Sequence, residues 1–600
     1  MHKVANGLSE EHRSLTGLSE IVGENDCCQT HVWEAFSKVR NFQKPRAGRG
    51  LVAIVPPLPQ TRVAGKSLES IQELTLQVHE FPLVWALFRQ QRPTQGVHNF
   101  MVSSPASRSG LILSFLAFLL LPAPPLPAKS LKSLNCDVAI VGGGAGGLHT
   151  AFRLGPKLGS KVCLFEKEKE LGGRIYDLPY DSSDPKAPRI GVGARRIMET
   201  QTVLFDLAAE LGLQLETPVV GTDLIQARGK TSFSKDDFVS LYPGLSLKDD
   251  PNTDQESWLY DQLRLGPERA KAGQYPDFRS YVTAVVGTAG YDYLHDMSRF
   301  RADFEYPLDA RSYMDYLDEE WDVCCEASYP VGGMSAFIRG MESRARASGV
   351  RIFKGEAIQG LHRRGKGYEL RSAQYKVSAQ QLVIAIPPSA FPHLHGDVPA
   401  RIAKQKAFQD ILGVKVATIT QWWPYAWWKD IRNPALPPDG TDQVWRAWTT
   451  ESCVNFIEIP LNRDAVQQNV TRSVYDDDPR CVEHWEKLAQ TSMDQVEAEI
   501  HEGLTKLFHQ NGVSLPETVS IPKALKTHVQ IWPAGWHFLR AGATHSNAEV
   551  AAWSLEPLPG EPVALVGEAY YPNRSGWSDG AYKSSLQLLK KWYGSEPTNL

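Results

Sequence analysis

From residue 135 onward the chain alternates short β-branched runs with apolar faces at helical spacing. Asn135-Cys136-Asp137-Val138-Ala139-Ile140-Val141 is a compact apolar run suited to a buried parallel strand. Leu148, Ala151, Phe152 and Leu154 then recur with a helical period. Residues 161–165 predict a second strand, which closes on Glu166. Far downstream, Gln381-Leu382-Val383-Ile384-Ala385-Ile386 and Pro562-Val563-Ala564-Leu565-Val566 read as further buried strands. A helix carrying Leu586, Leu588, Leu589 and Trp592 follows the second of these. Residues 413–420 predict an alternating strand with Lys415 near its start. Strands interleaved with helices in this way point to an α/β fold.

Residues 1–100 lack this order, and their apolar runs at 51–57 and 81–88 sit in no strand–turn–helix unit. At Met101 the text changes. Ser107-Arg108-Ser109-Gly110 leads into residues 111–121, apolar apart from Ser114, and then into the Pro/Ala-rich residues 122–128. A basic, then apolar, then small-residue order predicts a secretory signal over 101–128. Residues 1–100 are then a poorly structured leader or an over-extended gene model. The alternative is a buried helix of a real N-terminal domain, because Leu126 makes a poor cleavage site after Ala128. The run falls short of the roughly 20 apolar residues that cross a bilayer, so no stable membrane span is expected. Sequons at Asn469 and Asn573 are compatible with a secreted or extracellular protein.

Composition narrows the function. The 600 residues allow several domains. With 64 Lys+Arg against 68 Asp+Glu the net charge is −4, so no global basic field recruits nucleic acid. The 8 cysteines are too sparse for a disulfide scaffold, and none forms a CxxC pair. No metal site is expected. His393-Leu394-His395 lacks a third ligand, and Asp476-Asp477-Asp478-Pro479 reads as a helix cap before residues 481–488.

The chemistry begins at Gly142-Gly143-Gly144-Ala145-Gly146-Gly147, directly after the first strand. Gly142, Gly144 and Gly147 fill GxGxxG, which serves a tight turn, close approach of the backbone to a pyrophosphate, and close helix–strand packing. The helix behind it points free N–H groups at the phosphates. Glu166 lies where a ribose diol is gripped, and its charge repels a 2′-phosphate.

Two further motifs decide between cofactors. Leu171-Gly172-Gly173-Arg174 follows the acid, and Gly567-Glu568 leads to Ser575-Gly576-Trp577-Ser578-Asp579-Gly580-Ala581. This pair resembles the flavin-containing amine oxidase superfamily of monoamine, polyamine and L-amino-acid oxidases, over about residues 135–595. Tyr329-Pro330-Val331-Gly332-Gly333-Met334 is similar to the family's glycine pair before a helix, and Ile384-Ala385-Ile386-Pro387-Pro388 to its strand ending in proline. The resemblance implies a two-domain α/β flavoprotein. Its Rossmann-like FAD-binding domain is assembled from the discontinuous segments 135–200, 326–400 and 541–600. An α+β substrate domain comes from 201–325 and 401–540. The cofactor residues implied are Gly142, Gly144, Ala145, Gly146, Gly147, Glu166, Gly173, Arg174, Arg195, Gly567, Glu568, Gly576, Trp577, Asp579 and Ala581.

The same resemblance implies hydride removal from a C–N bond, with FAD and molecular oxygen as acceptors. Lys415 occupies the position of the family's active-site lysine, a surface lysine on an edge strand being the alternative. Gly193-Ala194-Arg195-Arg196-Ile197 is similar to the Gly-x-x-Arg segment that sets an arginine against the substrate carboxylate in L-amino-acid oxidases. Arg196 matches that arginine, and contact with an FAD phosphate is the competing role. Trp536 and Trp577 are expected at the flavin face and substrate, while Trp427 and Trp428 are expected to be packing. In monoamine oxidases a cysteine upstream of the C-terminal Gly-Glu carries the flavin. The corresponding residues 536–540 hold none, which implies non-covalent FAD. The expected activity is oxidative deamination of an L-amino acid to a 2-oxo acid, ammonia and hydrogen peroxide. A polyamine or monoamine oxidase is the first alternative and a non-catalytic flavoprotein-like binding protein the second. A homodimer is an option for assembly.

Overall fold

A computed structural model describes residues 131–594, apart from 185–186, 188, 322–326, 460–467 and 510–519. The signal-like segment 101–128 and the leader 1–100 lie outside the described residues. Along the chain come β1 (Lys132–Val141), α1 (Ala145–Leu158), β2 (Val162–Glu166), β3 (Thr222–Ala227) and β4 (Lys230–Ser232). A helical stretch follows, with α2 (Gln255–Leu265), α3 (Phe278–Met297), α4 (Ala310–Trp321) and α5 (Ser335–Ala347). Next are β5 (Arg351–Lys354), β6 (Gly360–Arg364), β7 (Gly367–Arg371) and β8 (Tyr375–Ile384). The last stretch holds β9 (Ile411–Trp422), β10 (Val444–Thr449), β11 (Phe456–Glu458), β12 (Val470–Asp476), α6 (Pro479–Thr491), α7 (Met493–His509), β13 (Lys526–Leu539), β14 (Val563–Leu565) and α8 (Ser578–Tyr593).

The first sheet runs β5-β2-β1-β8-β7-β6, with β14 also paired to β8. Strands β5, β2, β1, β8 and β14 are parallel neighbours. They come from three separated parts of the chain, as the discontinuous Rossmann-like fold requires. Val138 and Ile140 of β1 pack toward α1, α5 and α8, while Ala139 and Val141 pack into the opposite core. Burial on both faces is why this strand reads as a continuous apolar run rather than an alternating one.

The second sheet runs β13-β9-β12-β11-β10-β3-β4. One face carries Ala417, Ile419, Val474, Ile457, Ala447 and Leu224, packed against α6 and α7. Trp423, Trp427 and Trp428 join that core, as expected of packing tryptophans. The other face carries Val414, Val416, Tyr475, Phe456, Trp448 and Ile225, packed against α2, α3 and α4. Strand β13 bulges where it meets β9. Val414 and Val416 are two residues apart, yet they face Trp536 and Trp532, which are four apart. Pro533, which has no N–H for a ladder, lies in the bulge.

Among the described residues, disulfides join Cys136 to Cys163 and Cys453 to Cys481. The first links β1 to its parallel neighbour β2 at a Cα–Cα distance of 6.0 Å. A cysteine count says nothing of such proximity, which pairing of the strands creates. Among the described residues no helix is long and apolar enough to cross a membrane.

Candidate active site

The glycine loop sits between β1 and α1, at the carboxyl ends of the parallel strands. A Cβ at Gly142, where φ is +105°, would lie 2.4 Å from the Ala385 carbonyl oxygen. A Cβ at Gly147 would lie 2.0 Å from the Gly142 carbonyl oxygen. Both glycines are therefore demanded by the protein's own packing. Gly144 is different. Its φ of −69° suits any residue, and a Cβ there meets nothing closer than the Gly172 carbonyl oxygen at 3.9 Å. Neither backbone nor packing requires glycine at 144, so the space it leaves suits a ligand that approaches the backbone. Helix α1 begins there with no side-chain cap and no acid in its first turn. Its unfilled N–H groups fit a pyrophosphate.

Glu166 ends β2 directly beneath this loop, with Oε2 accepting from Gly143 N at 2.7 Å and Oε1 from Glu168 N at 2.9 Å. At the opposite side, a Cβ on Gly146 would meet Val566, the Ala581 carbonyl oxygen and Gly567 N. The starts of α1 and α8 thus pack together through Gly146, Ala581 and Gly567. Cβ atoms built at Gly173, Gly567 and Gly576 meet nothing nearer than 3.5 Å, so these glycines also border open space.

Glu568 ties this space to the second sheet. It is buried and accepts from Arg174 Nη2 at 2.9 Å, His537 N at 3.0 Å, His537 Nδ1 at 2.9 Å and Gly576 N at 3.0 Å. Burial alone would raise its carboxyl, but Arg174 and His537 hold it down at about 2. Arg174 Nη1 donates to Gly535 O, a carbonyl within the β13 bulge. Trp536, the next residue, stacks on Tyr475 with centroids 6.1 Å apart and planes at 8°. Phe300 meets that pair edge-on. Trp577 donates its indole N–H to Glu320 Oε2 at 2.6 Å. Burial pushes the Glu320 carboxyl up to about 7, with Arg574 and Trp577 opposing it. Asp579, in the first turn of α8, is buried beside Lys583 at 3.1 Å and Arg574 at 3.7 Å.

The loop at residues 191–197 lies over the second sheet. Thr418 Oγ1 and Trp532 Nε1 both donate to Val192 O, and Arg472 Nη2 donates to Gly193 O at 3.2 Å. A Cβ at Gly193 would strike the Arg174 carbonyl oxygen, so this loop borders Arg174. Arg195 and Arg196 both reach Glu458, Arg196 Nη1 at 2.6 Å, with Arg472 on the other carboxylate oxygen at 3.6 Å. Burial works to raise the Glu458 carboxyl, yet the three guanidinium groups hold it far below the ordinary range. Arg196 is the least buried of the three, with 22% side-chain exposure against 7% for Arg195 and 8% for Arg472. Its more exposed edge leaves room for a ligand.

The structure corrects the expectation for Lys415. Its side chain shares the β9 face of Ala417 and Ile419, toward α6, where Nζ pairs with Glu486. Val414, Val416 and Thr418 occupy the face toward Trp532, Trp536 and the 191–197 loop. Strand alternation therefore turns Lys415 away from the other site residues. Sequence reasoning in turn missed Glu458, Arg472, Tyr475 and Glu320. A signal existed for Glu458, a lone charge inside the short apolar run 456–459, since such a charge is buried only with a partner.

The model of the family described as flavin containing amine oxidoreductase matches residues 145–587, which runs from the glycine loop into α8. The chain belongs to that family. It is an FAD-dependent amine oxidase, with the two-domain flavoprotein fold. Among solved structures, putrescine oxidase bound to putrescine matches at 17% identity, covering 77% of this chain and 100% of that one, with a TM-score of 0.55. Cyclohexylamine oxidase from Brevibacterium oxydans IH-35A matches at 16% identity, covering 76% of this chain and 99% of that one, with a TM-score of 0.56. At such identities the likeness speaks of the fold. No curated protein matches the chain.

Proposed function

We propose that this flavoenzyme oxidises an L-amino acid. The α-carbon loses hydride and the nitrogen a proton, and water converts the imino acid to a 2-oxo acid and ammonia as oxygen becomes hydrogen peroxide. The observation that carries this reading is the surplus of guanidinium charge that Arg195 and Arg196 bring to Glu458, a carboxylate that already faces Arg472. A simple amine has no use for it.

Bound FAD supplies the two-electron acceptor. The glycine loop and the α1 N-terminus hold its pyrophosphate, and Glu166 its ribose diol. Arg174, Glu568 and Gly576, with Trp536 and Trp577, frame its ring end. Arg196 binds the substrate carboxylate through its planar fork, while Glu458 fixes the guanidinium from behind. Arg196→Ala should weaken kcat/KM for amino acids by about 2 kcal/mol or more, and leave amines without a carboxylate nearly unchanged. Equal losses on both substrate types would reject the clamp.

A second reading, an amine without a carboxylate, draws on the Tyr475–Trp536 stack. The buried carboxyl of Asp303 is an electrostatic neighbour of Tyr475, and burial pushes it up to about 7. Peroxide release from putrescine and from none of the amino acids would select this reading.

Secretion belongs to the same proposal, because disulfides persist in oxidising compartments. Of the two sequons, Asn573 donates its side-chain amide to Glu319, so glycosylation is expected at Asn469 alone. A natural protein whose mature chain starts near Met1 would overturn the secretory signal.

A further inference from the structure

Four neighbouring strands of the second sheet carry one charged row. Glu458 of β11 stands opposite Arg472 of β12 and Arg446 of β10, and Arg446 stands opposite Asp223 of β3. The signs alternate along the row, so these four residues neutralise one another. Arg446 completes its part with a bidentate pair to Asp223 at 2.7 and 2.8 Å. The positive surplus is brought by three residues from outside the row. Arg195 and Arg196 descend on Glu458, and Arg299 adds a third guanidinium 3.7 Å from Asp223. The crowding is visible in Arg472 itself, which burial and the neighbouring Arg195 push down to about 9.

One substrate carboxylate on Arg196 leaves part of this surplus unmatched. Arg195 Nη1 and Arg472 Nε are both fully buried and have no hydrogen-bond partner among the described residues. They are donors on two different residues, both beside Glu458, and neither is the atom by which Arg196 would hold a carboxylate. Buried guanidinium donors without acceptors are costly, and a second anionic group would relieve both. The phosphates of FAD belong at the α1 N-terminus, whereas Arg472 stands on the second sheet and Arg195 on the loop that lies over it.

We infer that the preferred substrates are acidic amino acids, whose side-chain carboxylate is taken by Arg195 and Arg472 while the α-carboxylate lies on Arg196. The inference rests on the amino-acid reading above and names its substrate class. Arg195 and Arg472 are specificity-determining residues here. They recognise a carboxylate that does not react.

The test uses the FAD-loaded enzyme and neutral isosteres. L-Glutamate should exceed L-glutamine in kcat/KM by about tenfold or more, with L-aspartate over L-asparagine in the same direction. Glutarate, which is not oxidised, should perturb the flavin absorbance and compete with glutamate, and butyrate should do so far more weakly. In Arg195→Met the glutamate/glutamine ratio should collapse by about tenfold. Arg195→Lys keeps the charge without the fork and should fall between. Glutamine turned over as well as glutamate would overturn the inference while leaving the amino-acid reading intact. So would glutarate binding no better than butyrate, or inorganic phosphate matching glutarate as a competitor. Loss of FAD from Arg195→Met and Arg195→Lys would place the arginine on the cofactor and also overturn it. Turnover of amines and of no amino acid would reject both readings together.

Discussion

Gly144 and Lys415 show how much one side chain decides. Gly144→Val would place a branched side chain in the space that packing leaves empty, 3.9 Å from the nearest protein atom. The expected outcome is a folded protein purified largely without flavin, read from the ratio of visible to ultraviolet absorbance. A full flavin spectrum would remove the phosphate from this loop. Lys415 pairs with Glu486 across a partly exposed surface, with side-chain exposures of 36% and 34%. Such pairs contribute less than about 1 kcal/mol. Lys415→Met should therefore keep its flavin and stay within a few-fold of full turnover, whereas a loss of orders of magnitude would return the lysine to the flavin. Glu568 is the opposite case, a buried acid with four donors. Glu568→Ala strands Arg174 and His537 and should cost about 3 kcal/mol in urea unfolding.

Pairing of elements creates groups that no single element contains. The α1–α8 contact holds His149, fully buried, with Nδ1 2.9 Å from Ser585 Oγ and Nε2 accepting from Arg153 Nε at 3.2 Å. Arg153 donates to one nitrogen, so the ring is neutral with its proton on Nδ1. Burial, with help from Arg153, lowers its pKa to about 3. The unfolded chain takes up a proton near the ordinary 6.5 and the native chain does not. This contribution to stability is therefore full above pH 6.5 and declines as pH falls toward 3, by about 1.4 kcal/mol per unit. His149→Gln should flatten the acid limb of a pH–stability profile measured by chemical unfolding. An unchanged limb would mean that His149 is not the group responsible. The β9–β13 pair shows the same principle in the active site. Gly535, whose carbonyl takes Arg174, lies in its bulge, and Trp536, which stacks on Tyr475, lies at the end of it.

At the scale of the molecule, two sheets from interleaved segments meet around the candidate site, and Glu568, Arg174 and His537 bind them together. The flavin is expected to be held without a covalent bond. The cysteines at 136, 163, 453 and 481 are spent in disulfides, while Cys27, Cys28, Cys324 and Cys325 lie outside the described residues. Acid precipitation should release the yellow colour into the supernatant, and colour retained in the pellet would reveal a covalent link. Reduction of the disulfides should lower stability by on the order of 3 kcal/mol for each, seen as an earlier thermal transition in dithiothreitol.

By itself the sequence determined the parts whose signal is local. The parallel strands, the glycine loop and Glu166 are legible because steric and phosphate-binding demands fall on consecutive residues. Only the tertiary structure decided where isolated charges go. Lys415 and Val416 are neighbours in sequence, and strand alternation sends one to Glu486 and the other toward Gly535. Arg195 and Arg472 lie far apart in the chain. They meet Glu458 because three elements converge on it, and the energy of a buried charge depends on that convergence rather than on sequence neighbours.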